Sequence, residues 1–435
     1  MNPTPLLVLV VLLLLGCSDD ASTSDSNATP SNTASDASQS DAGDDTNAAP
    51  EDTGAEPDSP PEPTPVADRS PGPLERWASP IDDYLEVGRM EAGEGGSFLM
   101  GIHDLAVYED RLYLGYGDAN INLGRVTPIE FRYIDSIDAG AEAISEFASD
   151  EEQLDRYRLI DGTLYMAGID ATEDAWLGNV YVREAGGAWV KSRTLSGGVH
   201  VHDVIGFQGA LWAVGSGATP EEWSAGDIYA HLWRSDDGGA SFTIAERAHN
   251  GGTGDMRWVH LLTVGDRLHM FGYGSNAQGQ IDELNHRRTD GATLEPLPNG
   301  HPLRFVFVED TWRVGEQGLV TGVDASADPL LNGAWLMRTS DDVVAVEALA
   351  EVTTRDVAPV METGEWLVLV TEGNVYLEAP ADGIWRTRVL VTRDFESFSE
   401  WLTVESEELF VSMAWWRDGL VLGSEAGALW RAAAP

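Results

Sequence analysis

Three regimes of hydrophobic and polar patterning follow one another along the chain. Leu6 to Leu15 is an unbroken apolar run, too short to cross a bilayer as a helix. Residues 18–73 have no aromatic side chain and no hydrophobic period. From Pro80 the pattern changes to short runs that alternate apolar and polar positions between Asp, Gly and Asn, which predicts β-strands. One phrase recurs there: an apolar strand, a turn of Asp or Gly, then a second strand built like Leu-Tyr-x-Gly. It reads LAVYEDRLYLGYG at 105–117, YRLIDGTLYMAG at 157–168, VIGFQGALWAVGSG at 204–217, LTVGDRLHMFGYG at 262–274, FVEDTWRVG at 307–315, METGEWLVLV at 361–370 and AWWRDGLVLG at 414–423. The anchors Leu112, Leu164, Leu211, Leu268, Trp312, Leu367 and Leu420 lie 44 to 57 residues apart. Seven such units predict an all-β, seven-bladed β-propeller with four-stranded blades over residues 80–432. The last unit stops at its third strand, ALWRAA, and the lone run Tyr84–Met90 is expected to supply the fourth and close the ring.

Composition assigns roles to the first two regimes. Leu14-Leu15-Gly16-Cys17 resembles the lipobox of bacterial lipoproteins, although MNPTP carries no Lys or Arg. The resemblance implies a signal peptide over 1–17 and a lipid on Cys17, the only cysteine of the chain. It would place the protein in the cell envelope, on the outer membrane, with its head periplasmic or at the surface. With no second cysteine the head has no disulfide of its own. Residues 18–73, rich in Ser, Asp, Ala, Thr and Pro, cannot offset their ordering entropy by burial and are expected to be a disordered acidic tether.

Within the repeats, Ser235-Asp-Asp237-Gly-Gly239-Ala-Ser241-Phe242 has the order of the Asp-box of bacterial neuraminidase repeats, and the head resembles that sialidase-like family. In the family the box closes the hairpin between the third and fourth strands of a blade. Ser235 and Asp237 would bond turn N–H groups, Gly239 would take a positive φ, and Phe242 would plug the sheet. The box marks a fold and not a reaction. Sialidases also need an Arg-Ile-Pro motif, and Arg125-Val-Thr-Pro128 does not match it.

Candidate chemistry lies where the innermost strands begin. Five of the nine histidines fall there, and His200 and His202 project from one strand face. His103, His202 and His260 could converge on a divalent metal, with Asp104, Asp203 or Asp356 as catalytic carboxylates. Alternatively Arg257, Arg304 and Arg355 could form a floor for a carboxylate, with Trp415 and Trp416 stacking on a sugar. The same groups could instead only bind neighbouring blades and water. No cofactor other than such a metal is expected.

The formal charge of −47 excludes nucleic acid as a partner and points to a monomeric head that meets a glycan or an envelope protein. Lys191 is the only lysine, so the positive charge is carried almost wholly by arginine. Two functions follow: a binding or scaffold module for anionic glycans, or a polysaccharide-active hydrolase or lyase that uses the axial funnel.

Overall fold

The computed structural model describes residues 64–92, 101–119, 123–173, 176–249, 254–276, 280–327, 331–373 and 380–433. Cys17, the apolar run before it and residues 18–63 lie outside them. Among the described residues no helix is long and apolar enough to cross a membrane.

The head is an all-β propeller. Four of its sheets are separate four-stranded blades. One runs Tyr157–Ile160, Thr163–Ala167, Leu177–Arg183, Trp189–Ser196, and the next Val306–Val314, Gln317–Asp324, Leu331–Met337, Val343–Ala345. A third runs Val352–Val360, Glu365–Glu372, Trp385–Thr392, Ser399–Ser406. The fourth joins Phe410–Trp415, Gly419–Ser424 and Leu429–Ala433 to Glu75–Ala78 from the other end of the head. All remaining strands belong to one continuous fifteen-stranded sheet.

This corrects the expectation of seven separate four-stranded blades. Glu151–Leu154 and Ile169–Ala171 pair with each other and bridge Arg111–Gly117 to Gly198–Phe207, while a short parallel pairing of Asp227 and Ile228 with Gly254 and Asp255 extends the same sheet. These bridges are three or four residues long, below the length at which a period can be read.

The closing strand is also corrected. Tyr84–Met90 is not a strand; it falls inside the helix Asp82–Ala92, whose first turn carries Asp82 and Asp83, favourable at the positive end of the helix dipole. Ile81, Tyr84 and Leu85 are buried at a spacing of three and four, which is a helical face. Closure comes from Glu75–Ala78, which pairs antiparallel with Leu429–Ala433. Order therefore starts well before Pro80. Val66 is fully buried and its N–H donates to Glu365 Oε2 at 2.6 Å, and the Trp401 indole donates to the Arg69 carbonyl at 2.9 Å.

The turns between first and second strands follow their residues. Gln208 and Gly209 have φ of 51° and 75°, and Asp161 and Gly162 have 48° and 80°. Two consecutive positive φ values are the signature of the tight hairpin turn that matches strand twist. Apolar side chains fill the space between neighbouring sheets; in the largest cluster Phe131 stacks on Trp189 with ring centroids 4.0 Å apart. Fully burying one such side chain contributes roughly 1.5–3 kcal/mol.

Candidate functional site

Six inner strands share one irregularity. Their pairing with the next strand skips a residue between Ile102 and Asp104, Val201 and Asp203, Trp258 and His260, Val308 and Asp310, Thr354 and Asp356, and Phe410 and Ser412. The skipped residues are His103, His202, Val259, Glu309, Arg355 and Val411. A bulge turns its extra side chain out of the sheet's alternation. His103, His202, Glu309 and Arg355 are accordingly part exposed, although the residue before each is buried. Arg156 stands just ahead of Tyr157–Ile160 and pairs with Asp310 of a blade that is not its neighbour, which a contact across the axial channel explains.

After five of the six bulges the following residue ties its strand to the next one round the ring; Asp310 instead bonds the Thr311 N–H beside it and pairs with Arg156. Asp104 Oδ2 accepts the Tyr157 N–H at 2.6 Å, Asp203 Oδ2 the Leu261 N–H at 2.8 Å, and Asp356 Oδ2 the Met413 N–H at 2.6 Å. Ser412 Oγ donates to the Ile102 carbonyl at 2.6 Å, and the His260 ring bonds the Val308 carbonyl. Asp203 is almost fully buried and also receives both arms of Arg158, at 2.9 and 2.7 Å. The three aspartates singled out as catalytic candidates are thus seams of the ring.

Glu309 has no seam to hold. Among the described residues its carboxyl has no hydrogen-bond partner, and it shares the channel with Arg355 and Asp310. Burial pushes it up to about 8, with Arg355 opposing and Asp310 adding to the shift. Burial also raises Asp356 to about 8 and Asp104 to about 7, while their backbone N–H donors pull back. Asp310 is raised by burial against the pull of Arg156 and Arg158. At neutral pH the channel therefore holds protons on carboxyl groups beside guanidinium ions.

The other expected groups fall in different places. His202 and His260 are held well below the usual imidazole range, first by burial and then by nearby arginines, so both are neutral. His103 Nε2 meets the Leu154 carbonyl at 3.0 Å. Among the described residues no group of three His, Cys, Asp or Glu side chains is placed to hold a metal ion. Arg257 is bound by Asp255, Arg355 faces Glu309 and Glu425, and Arg304 lies in a different cleft, where it donates to the Leu297 carbonyl at 2.8 Å. The three arginines make no common floor.

Trp415 and Trp416 are corrected outright. Trp415 ends the strand Phe410–Trp415 and Trp416 follows it, so neither begins the strand; they are 8% and 2% exposed and pack on Trp401 and Trp77 respectively. Buried indoles offer no face to a sugar.

In the hairpin at 235–242, Ser235 Oγ accepts the Gly239 N–H at 2.9 Å and Asp237 Oδ1 accepts the Ser241 N–H at 2.9 Å. Gly239 has φ 95° and Phe242 is 5% exposed. These bonds hold Asp237 down at about 2, led by the Ser241 hydroxyl. Arg125, from the stretch compared with the sialidase motif, pairs with Glu152 at 3.3 Å.

Glu309, Arg156 and Asp310 carry the channel, and sequence reasoning missed Glu309. The signal was present: His103-Asp104, His202-Asp203, Glu309-Asp310 and Arg355-Asp356 are one dipeptide at one place in the repeated phrase. Attention to histidine hid the position's variability.

Fold and channel together define the class, an all-β propeller with an acid-rich axial site. No family model matches the chain, and no curated protein matches it. Among solved structures it is similar to the GH74 enzyme of Niastella koreensis, at 11% identity and a TM-score of 0.47 over 77% of this chain, which spans 52% of that one. It is also similar to the WD40 domain of Neurospora crassa Pan2, at 10% identity and 0.47 over 86% of this chain and 98% of that one. The α-L-arabinofuranosidase of Fusarium graminearum, in complex with arabinobiose, gives 10% and 0.39 over 64% of this chain and 91% of that one. These likenesses concern the arrangement of sheets and give no residue a role.

Proposed function

We propose that the protein is a polysaccharide-active enzyme, a hydrolase or lyase, that works in the axial channel with Glu309 as its acid. The observation that carries the reading is one side chain: an accessible carboxyl, aimed by a bulge, without a structural bond, and raised to about 8. A carboxyl kept protonated at neutral pH can give its proton to a leaving glycosidic oxygen. Asp155, 36% exposed and 3.5 Å from His103 Nε2, is the candidate for the second carboxylate. Arg355, whose charge opposes the rise of Glu309, keeps a positive charge beside the group that releases its proton.

The binding-module reading loses its support in the channel. Arg156, Arg158 and Arg257 each end on a carboxylate, which leaves little positive charge for an anionic glycan. Of the two reactions this favours hydrolysis at a neutral sugar unit, because elimination by a lyase needs a carboxylate-bearing one. An envelope location with a lipid on Cys17 fits such a role and belongs to the same proposal.

The test is incubation of the full chain with neutral and acidic polysaccharides, followed for new reducing ends and unsaturated products. New reducing ends without unsaturated products, lost in Glu309→Gln, support the hydrolase reading; new reducing ends accompanied by unsaturated ones, lost in the same variant, support the lyase. Intact polymer throughout, or a Glu309→Gln variant as active as the parent, would overturn the assignment.

A further inference from the structure

A second site lies away from the axis, where the strands Ile281–Leu284 and Arg287–Thr289 face the turn Pro302–Phe305. A cleft of ≈ 410 Å³ opens there, lined by Leu284, Arg287, Pro296, Arg304 and Phe305. Its charge is unusual for this molecule. With 73 acidic residues against 26 basic ones, a guanidinium readily finds a carboxylate. Next door, Arg288 has Glu295 at 2.8 Å and Asp341 at 2.5 Å.

Arg287 and Arg304 have no carboxylate within ion-pair distance among the described residues. Arg287 Nε donates to Asn285 Oδ1 at 2.9 Å, and an Arg304 Nη donates to the Leu297 carbonyl at 2.8 Å. Each guanidinium thus spends one N–H on a neutral oxygen and keeps four, in the fork that matches a carboxylate. Glu283 lines the same cleft and pairs with neither.

The cleft also presents an apolar face. Phe305 is 56% exposed, with the Arg304 guanidinium 5.9 Å from its ring centroid. An aromatic ring beside two uncompensated guanidiniums suits a ring-shaped ligand that carries a carboxylate. The frame behind it is fixed. His286 accepts the Gly272 N–H on Nδ1 at 3.2 Å and bonds the Val306 carbonyl through Nε2 at 2.8 Å, tying the two walls together.

We infer that this cleft binds a carboxylate-bearing sugar, a uronate, through Arg287 and Arg304 with Phe305 against the sugar ring. The inference does not rest on the axial reading. The same chemistry could come from a free aromatic carboxylate, and the test separates the two.

Sodium glucuronate, glucose and benzoate are titrated into the full chain by calorimetry at low and high salt. Glucuronate is expected to bind with a millimolar Kd that weakens with salt, and glucose to give no heat. The double variant Arg287→Gln/Arg304→Gln should lose at least about tenfold in affinity, as expected for lost charged hydrogen bonds. Phe305→Ala, which removes no hydrogen bond, should weaken binding several-fold and guards against a double variant that misfolds. Glu309→Gln should bind as the parent does, so failure of the axial reading would leave this one standing. No heat with glucuronate, equal heats from glucuronate and glucose, unchanged affinity in both the double and Phe305→Ala variants, or benzoate binding in place of glucuronate would each overturn the assignment.

Discussion

The hairpin at Ser235–Phe242 and the axial channel use the same functional group in opposite ways. Asp237 lies on the surface among N–H and O–H donors and is held at about 2. Glu309 lies beside Arg355 and Asp310, has no donor among the described residues, and is raised to about 8 by burial. The difference is set by surroundings alone: hydrogen bonds to the ionised form lower a carboxyl, and loss of water raises it. A carboxyl satisfied by its turn is architecture, whereas one shielded from water without a donor is a proton store.

The channel contains both kinds, and the sharpest way to separate them is to remove one of each. Asp203→Ala should be the most damaging change to stability. It breaks two backbone bonds and strands Arg158, and loss of one partner of a buried pair costs about 3–5 kcal/mol. Denaturant unfolding monitored by tryptophan fluorescence would read it. Glu309→Gln should leave that unfolding midpoint in place or raise it, and reduce turnover by at least about 100-fold, roughly 2.7 kcal/mol of barrier. A Glu309→Gln protein that unfolds early would move Glu309 to the architectural class.

Smaller effects come from the hairpin. Ser235 is 1% exposed and its hydroxyl accepts the Gly239 N–H, so Ser235→Ala should cost about 1–2 kcal/mol with turnover unchanged. The most specific effect is on pH dependence, because the two carboxyl types give stability opposite slopes with pH. Asp237 is depressed, so its contribution is present above an ordinary aspartate value near 3.8 and is lost as pH falls toward about 2. Glu309 is raised, so the folded state holds the proton more tightly, and stability falls as pH rises from about 4.5 to about 8. Glu309→Gln should flatten the upper slope and leave the lower one unchanged, as measured by unfolding midpoints across both windows.

Much of the architecture could be read from local chemistry. Asp161-Gly162 announces its turn because Asp and Gly accept positive φ readily, and the recurring apolar phrase marks the paired strands. The division into sheets could not be read that way. It depends on Glu151–Leu154 and Ile169–Ala171, polar bridges with no periodic signal, and on a helix at Asp82–Ala92 whose Tyr-Leu-Glu-Val run imitates alternation. The site was half legible. The dipeptides at the strand starts form one series at one place in the repeat, but residue type misled: histidine drew the eye while the bulge at Val308/Asp310 put a glutamate in the part-exposed place. Trp415 and Trp416 show the limit of counting from a repeat, since a shift of half a strand moved two indoles from a presumed rim into the core.

The measurement that bears most directly on this account is the titration of the Glu309 carboxyl in the full chain, followed by carbon-13 NMR of labelled glutamate and assigned by its loss in Glu309→Gln. A midpoint near 8, unaccompanied by unfolding, is the predicted result. A midpoint between about 4 and 5, the range of an ordinary glutamate, would contradict it and leave the channel without its acid.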